Sequence, residues 1–269
     1  MQTVKIRNLE IGAGAPKVIV PIVGKTREEI LAKAAELKGT ALDMVEWRAD
    51  FCECALESAK LLEIAEALRA ALGETPLLFT FRTSREGGEK ALEPDEYTEL
   101  NRQIAQSGLV DAVDVEIFAG EEVAVQNIAA IHAAGAVVIG SNHDFAATPP
   151  KEEILCRLRK MQQLGADIAK IAVMPHSPAD VITLLDATQE MAEKHAVRPI
   201  VTMSMGPLGV ISRLSGEVFG SAMTFGAVGQ VSAPGQIPAE RLQAVLQVLH
   251  DSMQSECFHK HFTPSCRSF

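Results

Sequence analysis

A parallel (β/α)8 barrel of the TIM type, with a short N-terminal hairpin closing its bottom, is the fold this sequence predicts. Two observations predict it. Short apolar runs rich in β-branched residues alternate eight times with longer stretches of helical period, the rhythm of βαβ units around a parallel sheet. The 269 residues also match the usual size of such a barrel, about 250.

The eight runs begin at Val18 and come in order: VIVPIV near 18, DMVEWR near 43, PLLFTFR near 76, VDAVDVEI near 110, AVVIGSNHD near 136, DIAKIAVM near 167, RPIVTMSM near 198 and GSAMTF near 220. Between them lie amphipathic segments such as TREEILAKAAELK, ALESAKLLEIAEALRAAL, EEILCRLRKMQQL and PADVITLLDATQEMAEKH, whose Ala, Leu, Glu and Lys are strong helix formers. Thr148 before Pro149 reads as an N-cap with proline in the first turn. The last helix is expected from about Pro238 to Ser252. An open doubly wound sheet is the alternative, but no GxGxxG follows the first strand to support a dinucleotide site. Ahead of the barrel, VKIRNLEIG alternates apolar and polar residues before a Gly-rich turn and reads as the hairpin. Residues 1–252 then form a single catalytic domain. Residues 253–269 form an irregular tail in which Cys257, His259, His261 and Cys266 have no spacing that fixes a metal geometry.

Composition narrows the function classes. The chain is 47% hydrophobic and 22% charged with a formal net charge of -10, and its basic residues are scattered singly, against a nucleic-acid partner. No apolar stretch approaches the roughly 20 residues that span a bilayer, and the N-terminus lacks the apolar core of a signal peptide, so a cytoplasmic protein with no membrane partner is expected. Five cysteines, with Cys52 and Cys54 close together and Cys156 isolated, give neither a disulfide framework nor a CxxC zinc spacing. No metal and no cofactor are expected.

In a barrel of this kind, reacting groups sit at the C-terminal ends of strands and in the loops that follow. Those positions are polar here: Glu46 and Arg48, Arg82 with Arg85 and Glu86, Asp114 and Glu116, Asn142, His143 and Asp144, then Ser204 and Met205. Lys170 lies within the sixth, apolar run, where an unpaired ammonium is costly. It is either bridged to Asp114 or Glu116, or desolvated enough to lose its proton and attack a carbonyl. His143 falls one strand away from it, where a group titrating near neutrality moves protons during imine chemistry. Residue type alone leaves Glu86 an exposed loop carboxylate. Arg48, Arg82 and Arg213 suit a substrate with a carboxylate and hydroxyls, with surface solvation as the plain alternative for each. The glycine-rich stretch from Met203 to Gly226 offers backbone to an anion but lacks the GxxxxGK[ST] of a nucleotide loop.

Six motifs in order, EWRAD (46–50), FTFRTSREGG (79–88), SNHDF (141–145), AKIAVMP (169–175), MSMGPLGVISR (203–213) and SAPGQ (232–236), resemble those of type I 3-dehydroquinate dehydratase. The resemblance implies a Schiff-base hydro-lyase of the shikimate pathway that converts 3-dehydroquinate to 3-dehydroshikimate. It implies Lys170 as the imine-forming amine, His143 as general acid and base, and Glu86 as the partner completing a triad. It further implies substrate contacts from Glu46, Arg48 and Arg82, a carboxylate contact from Arg213, a covering loop with Ser232 and Gln236, and apolar walls from Met203, Met205, Phe145 and Phe225. Pro21 stands where some relatives carry a serine that reaches the substrate. The family also implies a homodimer with the small-molecule substrate as its partner. A class I aldolase would share the fold and the lysine but wants a phosphate site. A non-catalytic binding module would lack the lysine or histidine and carry a DNA-binding domain.

Overall fold

The computed structural model describes residues 2–229 and 233–254. An antiparallel hairpin of β1 (Val4–Ile6) and β2 (Leu9–Ile11) precedes eight parallel strands: β3 (Lys17–Ile22), β4 (Met44–Arg48), β5 (Leu77–Thr80), β6 (Ala112–Glu116), β7 (Val137–Asp144), β8 (Ile168–Val173), β9 (Ile200–Ser204) and β10 (Met223–Phe225). The sheet runs in the order β10-β3-β4-β5-β6-β7-β8-β9. A bridge between Ile200 and Ser221 and a bond from Ala222 N to Ile200 O (2.8 Å) bring its two ends together, so the strands form a nearly closed barrel.

Helices α1 (Arg27–Glu36), α2 (Ser58–Leu72), α3 (Pro94–Gln106), α4 (Glu121–Ala133), α5 (Lys151–Gln163) and α6 (Pro178–Glu190) follow successive strands from β3 to β8. The short α7 (Val210–Leu214) and α8 (Gly216–Phe219) follow β9, and α9 (Ala239–Gln254) follows β10. Local chemistry sets several starts. Ser177 caps α6 in a reciprocal box with Asp180 behind Pro178, and the Thr26 hydroxyl accepts from Glu29 N at the start of α1, satisfying amides that have no partner within the helix. Thr148 is not the N-cap of α5. Pro150 occupies that place without a side-chain bond, and the Thr148 hydroxyl donates to Met174 O (3.0 Å) instead. The cause is the double proline, since each proline holds the residue before it extended.

Side chains alternate strictly between two cores. Val20, Val45, Trp47, Phe79, Val113, Val138, Ile171 and Val173 pack outward beneath the helices. Ile19, Met44, Leu78, Ala112, Ile139, Ile168, Val201 and Met223 fill the lower barrel interior together with Val4, Ile6 and Ile11 of the hairpin. The hairpin therefore plugs the N-terminal mouth, as the sequence predicts. Helix α9 continues past the predicted end at Ser252, so Met253 and Gln254 of the predicted tail (253–269) are helical, and residues 255–269 lie outside the described residues.

Candidate active site

On β4 to β8 the interior position two residues above the apolar floor is polar, whereas β9 and β10 place Met203 and Phe225 there, and this parity builds the site. Glu46, Thr80, Asp114, Ser141 and Lys170 form one buried tier, and Arg48, Arg82, Glu116 and His143 lie above it at the C-terminal ends. A cavity of about 170 Å³ opens there, lined by Glu46, Arg48, Arg82, Glu86, His143, Phe145, Lys170, Met203, Met205, Arg213, Phe225 and Gln236. All the predicted site residues thus converge on one cavity, except Ser232, which lies outside the described residues. Pro21 pairs in register with Glu46 on β3 and brings no hydroxyl to that wall.

Lys170 is 4% exposed, and of the two sequence-based alternatives the structure shows the bridge, to Asp114 and not to Glu116. Its Nζ lies 3.0 Å from Asp114 Oδ2 and 3.8 Å from Glu46 Oε1, and 4.7 Å from the centroid of the Phe225 ring. The amine faces the cavity, yet its charge is compensated. Burial by itself would raise the Asp114 carboxyl. Arg82 and Lys170 overcome that and hold it well below the usual carboxylate range, as a pair of close cations must. Glu46 is steadied by the Thr80 hydroxyl (2.9 Å).

Glu86, which residue type alone left as an exposed loop carboxylate, is 7% exposed. Its Oε2 accepts from the backbone N–H of His143 (3.0 Å) and lies 2.9 Å from His143 Nδ1, while its Oε1 accepts from Asn142 Nδ2 (3.0 Å). A carboxylate at Nδ1 places the proton on that nitrogen and leaves Nε2 as the basic atom. Burial, joined by Glu116 and opposed by Arg82, raises the Glu86 carboxyl to about 7. Burial and the charges of Arg82, Lys170 and Arg48 push His143 well below its ordinary value, against Asp114, so its resting form is the neutral imidazole.

Arg82 is pinned rather than free. It donates to Asp114 (2.7 Å), Glu116 (2.9 Å) and Ser141 (3.1 Å), and these carboxylates raise it well above its ordinary value despite burial. Arg48 makes a two-pronged contact with Asp50, 2.8 Å at each prong. Arg213 differs from both. It is 1% exposed, donates to Pro234 O (3.0 Å), and its Nε finds no partner among the described residues. Burial without a compensating carboxylate lowers it to about 10. A buried, underused guanidinium facing a cavity is a receptor for an anion.

Sequence reasoning missed the part played by Asp50, Ser141 and Asn142. Ser141 shares the inward parity of His143 and was readable from it. Asp50 lies in a turn after β4, where no periodicity speaks.

A buried amine, an imidazole held in one tautomer and a guanidinium with no carboxylate partner among the described residues, at the C-terminal mouth of a (β/α)8 barrel, are the equipment of enzymes that activate a keto acid through an imine. Comparison with known proteins narrows this class. The chain belongs to the type I 3-dehydroquinase family, whose model matches residues 18–253. It is 52% identical to the 3-dehydroquinate dehydratase of Clostridioides difficile (strain 630) over 93% of this chain and 98% of that one. It is likewise 52% identical to that of Salmonella typhimurium over 94% of this chain and 100% of that one. Among solved structures, a type I 3-dehydroquinate dehydratase from Clostridium difficile carrying covalently modified comenic acid superposes with a TM-score of 0.91, at 52% identity, covering 93% and 99% of the two chains. The Geobacillus kaustophilus 3-dehydroquinate dehydratase gives 0.90 at 40% identity, covering 94% and 98%.

Proposed function

We propose that this chain dehydrates 3-dehydroquinate to 3-dehydroshikimate, the hydro-lyase step of its family in the shikimate pathway, through an imine on Lys170. The observation that carries the reading is the placement of the Lys170 amine, 3.0 Å from Asp114, in the same cavity as the Glu86-oriented His143 and the buried Arg213. Arg213 takes the substrate carboxylate, and Glu46, Arg48 and Arg82 meet the ring hydroxyls. Met203, Met205, Phe145 and Phe225 form the apolar walls, and Gln236 belongs to the loop over the ring.

Lys170 adds to the C3 ketone, and His143 Nε2 relays the protons that let the resulting carbinolamine lose water. The positive charge of the iminium falls where the ammonium lay, so Asp114 and Glu46 stabilise both. Because Asp114 is held so strongly ionised, it acts as a counter-charge and His143 as the base. The iminium draws electrons from the adjacent C2–H bond, His143 removes that proton, and the same imidazolium protonates the departing C1 hydroxyl. A single acid-base residue on one ring face gives syn elimination. Hydrolysis then frees Lys170. No step calls for a metal or an external cofactor.

Reductive trapping tests this directly. Borohydride added with 3-dehydroquinate is expected to fix one substrate mass on Lys170, and Lys170→Ala to remove both the label and turnover. Appearance of the conjugated enone measures the reaction. Turnover of a sugar phosphate with no enone would instead make the chain an aldolase. His143→Ala is expected to bind substrate with a rate lowered by about 10²–10⁴-fold; near-full activity would remove the proton relay.

Residues 1–252 act as one catalytic domain in this reading. The chain works as a homodimer in the cytoplasm without nucleic-acid or membrane partners. Among the described residues no helix is long and apolar enough to cross a membrane. Light scattering of the purified chain tests the dimer.

A further inference from the structure

Beside the substrate cavity, two thiols that the proposed reaction does not use lie close together. Cys52 Sγ and Cys54 Sγ are 2.8 Å apart, both free, the first buried and the second half-buried. They line a separate cleft of about 360 Å³, with Lys25, Glu57 and Lys60, which gives a small reagent access to Cys54. The segment that carries them also seats Arg48. The Asp50 carboxylate grips Arg48 and accepts from Arg82 N (3.3 Å) and Glu89 N (3.2 Å). Lys90 Nζ donates to the backbone carbonyls of both Asp50 (2.9 Å) and Cys52.

We infer that Cys52 and Cys54 form a reversible oxidation site, closed to a disulfide by hydrogen peroxide, and that closure loosens the seat of Arg48 and weakens substrate binding. The Cys54 sulfur attacks one peroxide oxygen, breaking the O–O bond and leaving a sulfenic acid and one water. The Cys52 sulfur displaces the second oxygen as water, forming the S–S bond. Two S–H bonds are lost and two electrons pass to the peroxide. Glu53 separates the two cysteines, so closing so small a ring turns the two peptide units that flank it, and the Cys52 carbonyl held by Lys90 belongs to the first of them. The Lys90 clip and the Asp50 turn move with it. Burial and the neighbouring sulfur raise the Cys54 thiol to about 12, so oxidation is slow at neutral pH and quickens as pH rises, because the thiolate is the nucleophile.

The effect on binding rests on the proposed function, whereas disulfide formation is read by mass alone. In a chain with Cys156→Ser, Cys257→Ser and Cys266→Ser, hydrogen peroxide is expected to lower the intact mass by about 2 Da and to link the two cysteines in a peptide map. KM for 3-dehydroquinate is expected to rise about tenfold with a smaller change in kcat, the loss of one charge-assisted contact. Dithiothreitol restores both, and Cys54→Ser keeps the reduced activity while removing the response. The site is overturned if the pair stays as thiols, or passes to sulfinic acid, under peroxide that fully oxidises Cys156 of the parent chain. A disulfide that leaves KM unmoved overturns the link to Arg48. A reduced chain that never produces the enone overturns the proposed function and leaves the mass result to judge the disulfide.

Discussion

Glu86 sets the working pH of the imidazole beside it. With its carboxyl raised to about 7, the ionised form that holds the Nδ1 proton prevails only above that value. The profile of kcat/KM is therefore expected to fall as pH drops through about 7. In Glu86→Gln the group cannot ionise, so the limb is expected to vanish along with much of the rate; a limb that persists unchanged belongs to another group. Arg213 makes a second claim at this scale. Among the described residues its guanidinium has no carboxylate partner, so Arg213→Gln is expected to raise KM by about 10²-fold, the loss of a charged two-pronged contact, with little change in folding stability. Lys at this position cannot restore the fork, and steady-state kinetics on both variants check it. Residue types and the family likeness located these groups. The pairing of Lys170 with Asp114 and the fourfold use of Asp50 arise from contacts across strands and turns, which spacing along one chain cannot report.

Strands and helices position those groups with little slack. Gly209 precedes α7, which carries Arg213, and a β-carbon there would stand 2.1 Å from Ser204 O. Backbone cannot yield as a flexible side chain does, so Gly209→Ala is expected to shift α7 and weaken substrate binding more than it lowers kcat. Equal loss in both constants, or an unfolded chain, would show that the glycine serves folding rather than placement; circular dichroism with kinetics separates these outcomes. The elements themselves were largely legible. Eight runs became eight barrel strands because a buried parallel strand must be apolar on both faces, and the polar exceptions stood out against that background. The start of α5 differs from the cap expected at Thr148 because a cap residue looks plausible two residues early when two prolines follow it.

At the scale of the whole barrel, charges buried in the upper tier are balanced as a set. Removing Asp114 leaves Arg82 and Lys170 undercompensated in the interior, and breaking such a buried pair costs about 3–5 kcal/mol. Asp114→Ala is therefore expected to lower Tm by roughly 6–20 °C in a domain of this size, read by calorimetry. The sign of the acid response follows from the same carboxyl. Held well below its unfolded value near 3.9, it contributes stability that is fully present above that value and is lost progressively as pH falls from there towards the lower folded value. The parent chain is expected to lose Tm steadily as pH falls below about 4, with a shallower decline in the variant.

The plug of Val4, Ile6 and Ile11 also governs traffic. A chamber sealed underneath has one doorway, so the dehydrated ring departs by the route its precursor arrives. Product then competes directly with fresh substrate, and added 3-dehydroshikimate should raise the apparent KM while leaving kcat untouched.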